Sequence, residues 1–344
     1  MKLSVKTPLF TFGYFCHALF SYCQQPTSDK GYSFSKKING LSFVASPKQI
    51  TANEMISVKK VNAKWVSLMP FAFMKNTDSP MIRYNSERQW RGERIEGIKE
   101  TALAFKAEGI SVMLKPQIWI GRGAFTGHIK MKTEENWKIL EQQYEDFILD
   151  FAKVAEEVNC EIFCIGTELN SFVVARPVYW DSLIAKIKLA YKGKLTYAEN
   201  WDTYTNVPFW NTLDYIGVDA YFPVSEEKIV SKKELEKGWE IHKREIKSLA
   251  KKTNKPVLFT EFGYRSCDYT AKEPWANSKE PPNMKNQTLA LEVLFNNFWK
   301  EKWFAGGFLW KWYDHELAGG EGNTDYTPQN KPAEKLINKM YGKY

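Results

Sequence analysis

The chain alternates, eight times over, between a short apolar run and a helical or looped connection. This alternation limits the possible folds more than any other feature of the sequence. The apolar runs are Ile38 to Ser46, Trp65 to Phe73, Ile110 to Trp119, Glu161 to Asn170, Leu195 to Asp202, Asp214 to Pro223, Val257 to Tyr264 and Gly306 to Tyr313. Helical periods fall between them at 50–63, up to Ala107 with Gly109 as its cap, at 133–158, Pro177 to Tyr191, 231–252, 288–302 and Pro332 to Met340. Strands joined by crossover helices form a parallel sheet, and eight such units close into a (β/α)8 barrel. An open doubly wound sheet is the alternative; a glycine-rich turn after the first strand would favour it, and the segment from Ser42 to Lys48 has none. No linker divides the chain after residue 37, so 38–344 is read as one domain, and 344 residues suit one barrel with long loops.

The first 25 residues read differently. Lys2 and Lys6 precede an apolar stretch from Pro8 to Cys23, which suggests an export leader over 1–25 and a polar linker over 26–37. The protein is therefore expected to be exported: periplasmic, extracellular, or held at the cell surface if Cys23 is lipidated. That lipid would be its one route to a membrane. Lysine and arginine exceed the acids by 48 to 40, but no basic run is interleaved with aromatics, so no nucleic-acid partner is expected. Cys160, Cys164 and Cys267 have neither disulfide nor metal spacing, and none of the four histidines lie three or four apart. No metal or cofactor is expected, and the chain is expected to be a monomer.

The chemistry of a barrel sits where its strands end. The candidates there are Lys115, Gln117 and Trp119 on the third strand, Glu168 and Asn170 on the fourth, and Glu199, Asn200 and Trp201 on the fifth. Asp219 and Tyr221 follow on the sixth, Glu261 and Tyr264 on the seventh, Trp310 and Trp312 on the eighth. Two strands end alike, because Ile162–Glu168 and Pro256–Glu261 each carry an apolar run into Thr-Glu. A carboxylate at the end of a buried strand is costly unless it faces a polar cavity. Two facing carboxylates equip a site for glycoside hydrolysis: one protonates the leaving oxygen and the other attacks the anomeric carbon. Their separation would distinguish retention, at about 5–5.5 Å, from inversion, at about 6.5–9.5 Å. Thirteen tryptophans also suit a cleft that stacks on sugar rings. Glu199 adjoins Asn200 and Trp201 but turns away from Asn200 by alternation, so it is read as structural. Arg122 and His128 in the third loop have no assigned role.

Several stretches carry a family resemblance: Gly166–Asn170 (GTELN), Lys115–Trp119 (KPQIW), Asn200-Trp201, Gly217–Tyr221 (GVDAY), Thr260–Tyr264 (TEFGY) and Phe308–Trp312 (FLWKW). From about Asn39 to Tyr313 the chain resembles glycoside hydrolase family 113, β-1,4-mannanases within clan A of retaining barrels. The resemblance implies Glu168 as acid/base, Glu261 as nucleophile, Trp310 as the floor of the sugar site and a β-linked polysaccharide or oligosaccharide as substrate. Thr167 stands where most of the clan has the asparagine that contacts the sugar 2-hydroxyl, and Asn170 or Asn200 would replace that contact. The competing readings are a clan A hydrolase of another β-glycan, an exo-acting or transglycosylating enzyme, and a non-catalytic sugar-binding barrel.

Overall fold

The computed structural model describes Met1 and residues 36–277 and 279–344; the expected leader, Cys23 and most of the linker lie outside the described residues. In chain order the elements begin β1 (Ile38–Phe43), α1 (Ala52–Lys60), β2 (Trp65–Leu68), β3 (Phe71–Met74), α2 (Ile95–Ala107), β4 (Ser111–Leu114) and β5 (Gln117–Ile120). Then come α3 (Glu134–Glu157), β6 (Ile162–Thr167), α4 (Asn170–Ala175), α5 (Pro177–Ala190), β7 (Lys194–Asn200) and β8 (Ile216–Asp219). The last are α6 (Lys232–Thr253), β9 (Val257–Phe262), α7 (Met284–Phe298), β10 (Phe304–Trp312) and α8 (Pro332–Lys343).

Eight strands, β1, β2, β4, β6, β7, β8, β9 and β10, pair in parallel in that order, and β10 closes back on β1. This is the single-domain (β/α)8 barrel that the alternation implies. Local chemistry sets the helix limits. Ser231 and Glu234 form a reciprocal capping box at the start of α6, and Thr133 caps α3 by accepting from the Asn136 N–H at 3.2 Å. Gly109 ends the α2 turn at φ +72, a conformation open to glycine at no steric cost. Ile38, Met113, Ile162, Leu258, Ala305 and Phe308 pack together inside the barrel, and the larger core fills the layer between sheet and helices.

Several elements are shorter than the sequence reading, the sixth run being a strand only over Ile216–Asp219, and four departures bear on the site or its frame. The second and third runs are each cut in two, at Pro70 and Pro116, because proline brings no N–H to the ladder. The register is unchanged across the break: Leu68 pairs with Leu114, and Phe71 pairs with Gln117. Beyond the prolines, however, β3 and β5 have only each other as strand neighbours. They therefore stand above the barrel mouth as a two-stranded wall. The fourth run stops at Thr167, and a short helix, α4, starts at Asn170. The helix expected at 288–302 runs from Met284 to Phe298, because the Asn283 side chain caps its first turn.

Candidate active site

The two Thr-Glu strands share an irregularity that alternation alone does not reveal. On β9, Phe259 pairs with Val218 but Glu261 pairs with Asp219, so β9 has one extra residue at the level of Thr260. The count against β10 agrees, with Phe259 opposite Gly307 and Phe262 opposite Leu309. In a regular strand Thr260 and Glu261 would face opposite sides. With the bulge both reach one cluster: the Thr260 hydroxyl donates to Asp219 Oδ1 at 2.7 Å, while Glu261 Oε1 accepts from Lys115 Nζ at 2.5 Å. On β6, Cys164 pairs with Thr196 and Thr167 with Ala198, again with one extra residue. Glu168 follows in the left-handed region at φ +52, pinned by its N–H to the Ala198 carbonyl at 2.7 Å. A non-glycine residue held in that region costs of order 1–3 kcal/mol and persists only where its surroundings fix it.

Lys115 is the hub. Its side chain is fully buried, and Nζ donates to both oxygens of Asp219 at 3.0 and 3.1 Å as well as to Glu261. Gln117 Nε2 donates to the same Glu261 oxygen at 3.0 Å, and the Tyr221 hydroxyl donates to the other at 2.8 Å. Three donors on one carboxylate fix its orientation. Burial by itself would lower the Lys115 pKa, but Asp219 and Glu261 together outweigh it and keep the ammonium charged. Burial, and after it the Glu261 charge, push Asp219 upward against the pull of Lys115.

Glu168 sits in different surroundings. Burial, then the negative charges of Asp219 and Glu261, raise its carboxyl well above the usual range, with Lys115 opposing. The two acids are thereby treated differently: Glu261 is held by three donors, whereas Glu168 favours its proton. Behind Glu168 runs a buried chain of hydrogen bonds. The Leu169 N–H donates to the Tyr197 hydroxyl at 2.7 Å, and that hydroxyl donates to Glu199 Oε2 at 3.0 Å. Glu199 Oε1 accepts from the Asn200 N–H at 2.9 Å and from the Thr203 hydroxyl at 3.0 Å. Burial pushes Glu199 up to about 7.

The model of Glycoside Hydrolase Family 113 matches residues 45–331. The chain belongs to this family. It is similar at 25% identity to a β-mannanase of the family from Alicyclobacillus acidocaldarius, solved in complex with ManMIm, with a TM-score of 0.78 over 90% of this chain and 98% of that one. Two further solved structures, of family 113 β-1,4-mannanases, share its fold at 23% and 24% identity, with TM-scores of 0.79 and 0.78; each covers 90% of this chain and 100% of its own. None of the curated proteins matches the chain. The protein is a glycoside hydrolase.

In this family 113 barrel the remaining candidates separate into groups. Trp119 stands on the wall strand β5, 53% exposed and edge-on to Phe71. Trp310, half-buried near the end of β10, precedes a cis peptide bond to Lys311. Trp201 stacks on Trp275 at 5.1 Å between ring centroids. Asn170 opens α4 with a buried side-chain oxygen that has no partner, whereas the Asn200 amide is taken up by Asp202 at 3.0 Å.

Two candidates do not join the cluster. Tyr264 lies in the core beneath the helices with its hydroxyl toward Trp239, because it stands three residues beyond Glu261, an odd step that turns it to the other side. Trp312 is also buried, its indole N–H donating to Ser57 of α1 at 3.0 Å. Against β1, Leu41 pairs with Leu309 but Phe43 with Trp312, so an extra residue on β10 turns Trp312 away from the face of Trp310. Sequence reasoning missed Trp275, which belongs to the loop after β9, where no periodicity marks a facing side. It also missed Tyr326, whose ring lies 5.9 Å from that of Tyr221 with the Arg265 guanidinium over it at 4.4 Å.

Proposed function

We propose that this glycoside hydrolase cleaves β-1,4-linked mannan-type chains with retention, Glu261 acting as nucleophile and Glu168 as acid/base. The observation that carries the reading is the opposed treatment of the two acids. Glu261 is gripped by Lys115, Gln117 and Tyr221, while burial and its neighbours' negative charge keep the proton on Glu168. In the first step Glu261 attacks the anomeric carbon as Glu168 gives its proton to the departing glycosidic oxygen. A glycosyl ester on Glu261 and a free alcohol result. Esterification removes the Glu261 charge, one of the causes that raise Glu168. Glu168, now a carboxylate, takes a proton from a water, and the water's oxygen opens the ester. Asn170, with its unpartnered oxygen, suits the 2-hydroxyl contact left open by Thr167 better than the engaged Asn200. The β-mannanases of the family that the fold resembles favour mannan as substrate.

The test is a pair of variants assayed on mannan, glucomannan, xylan and β-glucan with sizing of the products. Glu261→Ala and Glu168→Ala should each abolish hydrolysis. Azide should restore turnover of an activated aryl glycoside by Glu261→Ala and release the glycosyl azide of inverted configuration. Full activity in either variant overturns the assignment, and wild-type preference for another β-glycan overturns the choice of sugar.

A further inference from the structure

A second cleft, of about 530 Å³, opens at the outer end of the wall and is lined by Phe73, Arg83, Ser86, Arg88, Trp90 and Glu93 among others. Its position relative to Glu261 follows from register. Phe73 pairs with Trp119, and Phe71 with Gln117. Side chains two apart on a strand share a face, and paired residues share it too. Gln117, Phe71, Phe73 and Trp119 therefore lie on one face, which the hydrogen bond from Gln117 to Glu261 marks as the side toward the nucleophile. Trp119 is about 7 Å further out along the strand than Gln117. Phe73, on the same face, forms part of the cleft, so one surface runs from the reacting centre to it.

The chemistry of the cleft is that of a sugar site. Trp90 is 51% exposed and offers a flat apolar face. Arg83, Arg88, Ser86 and Glu93 surround it with hydrogen-bonding groups, and neither arginine makes an ion pair among the described residues. An indole face within a polar rim matches the two sides of a pyranose ring, apolar C–H faces and an equator of hydroxyls. A large exposed tryptophan on a surface continuous with a catalytic cleft calls for an occupant.

We propose that this cleft is a distal subsite holding a hexopyranosyl unit of the same glycan chain, remote from the bond being cut, with Trp90 as its stacking platform. The proposal rests on the glycan-hydrolase reading of the Glu261 centre. It makes activity dependent on chain length, because a long substrate gains a contact that a short one cannot reach.

The test compares wild type, Trp90→Ala and Arg88→Ala on a nitrophenyl β-mannobioside and on mannohexaose. For each protein the ratio of kcat/KM on the long substrate to that on the short one is measured. We expect Trp90→Ala to lower the ratio about threefold to tenfold, the size of one lost aromatic contact. Arg88→Ala should lower it in the same direction by a smaller factor. Both side chains are exposed, so neither change disturbs the core. An unchanged ratio in both variants overturns the proposal, as does an equal loss on both substrates. If wild type cuts neither substrate, the mannan reading has failed; the same ratio is then taken on short and long forms of the β-glycan that wild type does cut.

Discussion

Lys115 holds two carboxylates together in a place closed to solvent. Removing its charge leaves Asp219 and Glu261 side by side and uncompensated, which for a buried pair costs about 3–5 kcal/mol. Lys115→Met should therefore lose about that much stability in urea unfolding at neutral pH. Acidification, by protonating the acids, should recover part of it. Asp219 also acts on Glu168 through its field. Burial is the main cause of the high Glu168 pKa and Asp219 the next, so Asp219→Asn should move the alkaline limb of kcat/KM to lower pH. An unmoved limb would show that Glu168 does not control it. Glu199 makes a stability prediction of the opposite kind to an ordinary ion-paired acid. Its folded pKa of about 7 lies above the ordinary 4.5, so the folded protein binds the proton more tightly than the unfolded chain. The contribution of Glu199 to stability is then fully present below about pH 4.5 and falls by about 3 kcal/mol as pH rises through 7. Glu199→Gln should remove that slope, which unfolding titrations at a series of pH values will show against wild type.

Among the elements, some features are built into the sequence and others arise only when strands meet. The capping box of α6 is of the first kind. Ser231→Ala should cost about 1 kcal/mol in unfolding free energy and leave kcat/KM unchanged, since the cap lies on the outside of the barrel. The junction of β10 with β1 is of the second. Gly306 has φ +127, and a Cβ there would come within 2.3 Å of the Ile38 carbonyl oxygen. Gly306→Ala should lower the thermal midpoint well beyond the Ser231 change, because strain and a backbone clash coincide. The same division explains what could be read in advance. The eight runs, the two Thr-Glu ends and a lysine within an apolar strand are periodic or compositional facts, visible in one sequence. A bulge is a mismatch between two strands, and neither strand alone records it. Strict alternation from Trp310 puts Trp312 in the site, and the β10 bulge takes it out; Tyr264 stands an odd step from Glu261 and faces the other way without any bulge between them. The hydrogen bonds from Lys115 and Tyr221 to Glu261 depend on the β9 bulge.

For the molecule as a whole, closure is the property that matters most. β1 lies between β2 and β10, and without it both would present open edges. A chain beginning at Lys36 should melt cooperatively and hydrolyse glycan as the full sequence does, whereas one beginning after Phe43 should show no cooperative transition by circular dichroism. If the shorter chain folds, closure is not what stabilises the barrel. The wall of β3 and β5 carries no such duty. It rises from the ring at two prolines, bonds beyond itself through the backbone bridge between Phe73 and Arg83, and turns one face toward Glu261. The molecule therefore has a foundation that must stay as it is and a superstructure that need not. Substitutions at Phe71, Phe73 and Trp119 can accumulate without endangering the ring beneath them, whereas changes at Gly306 or Lys115 cannot. Over evolutionary time, or in a directed library, that is where a hydrolase of this build can be retargeted to a new polymer while keeping its catalytic machinery.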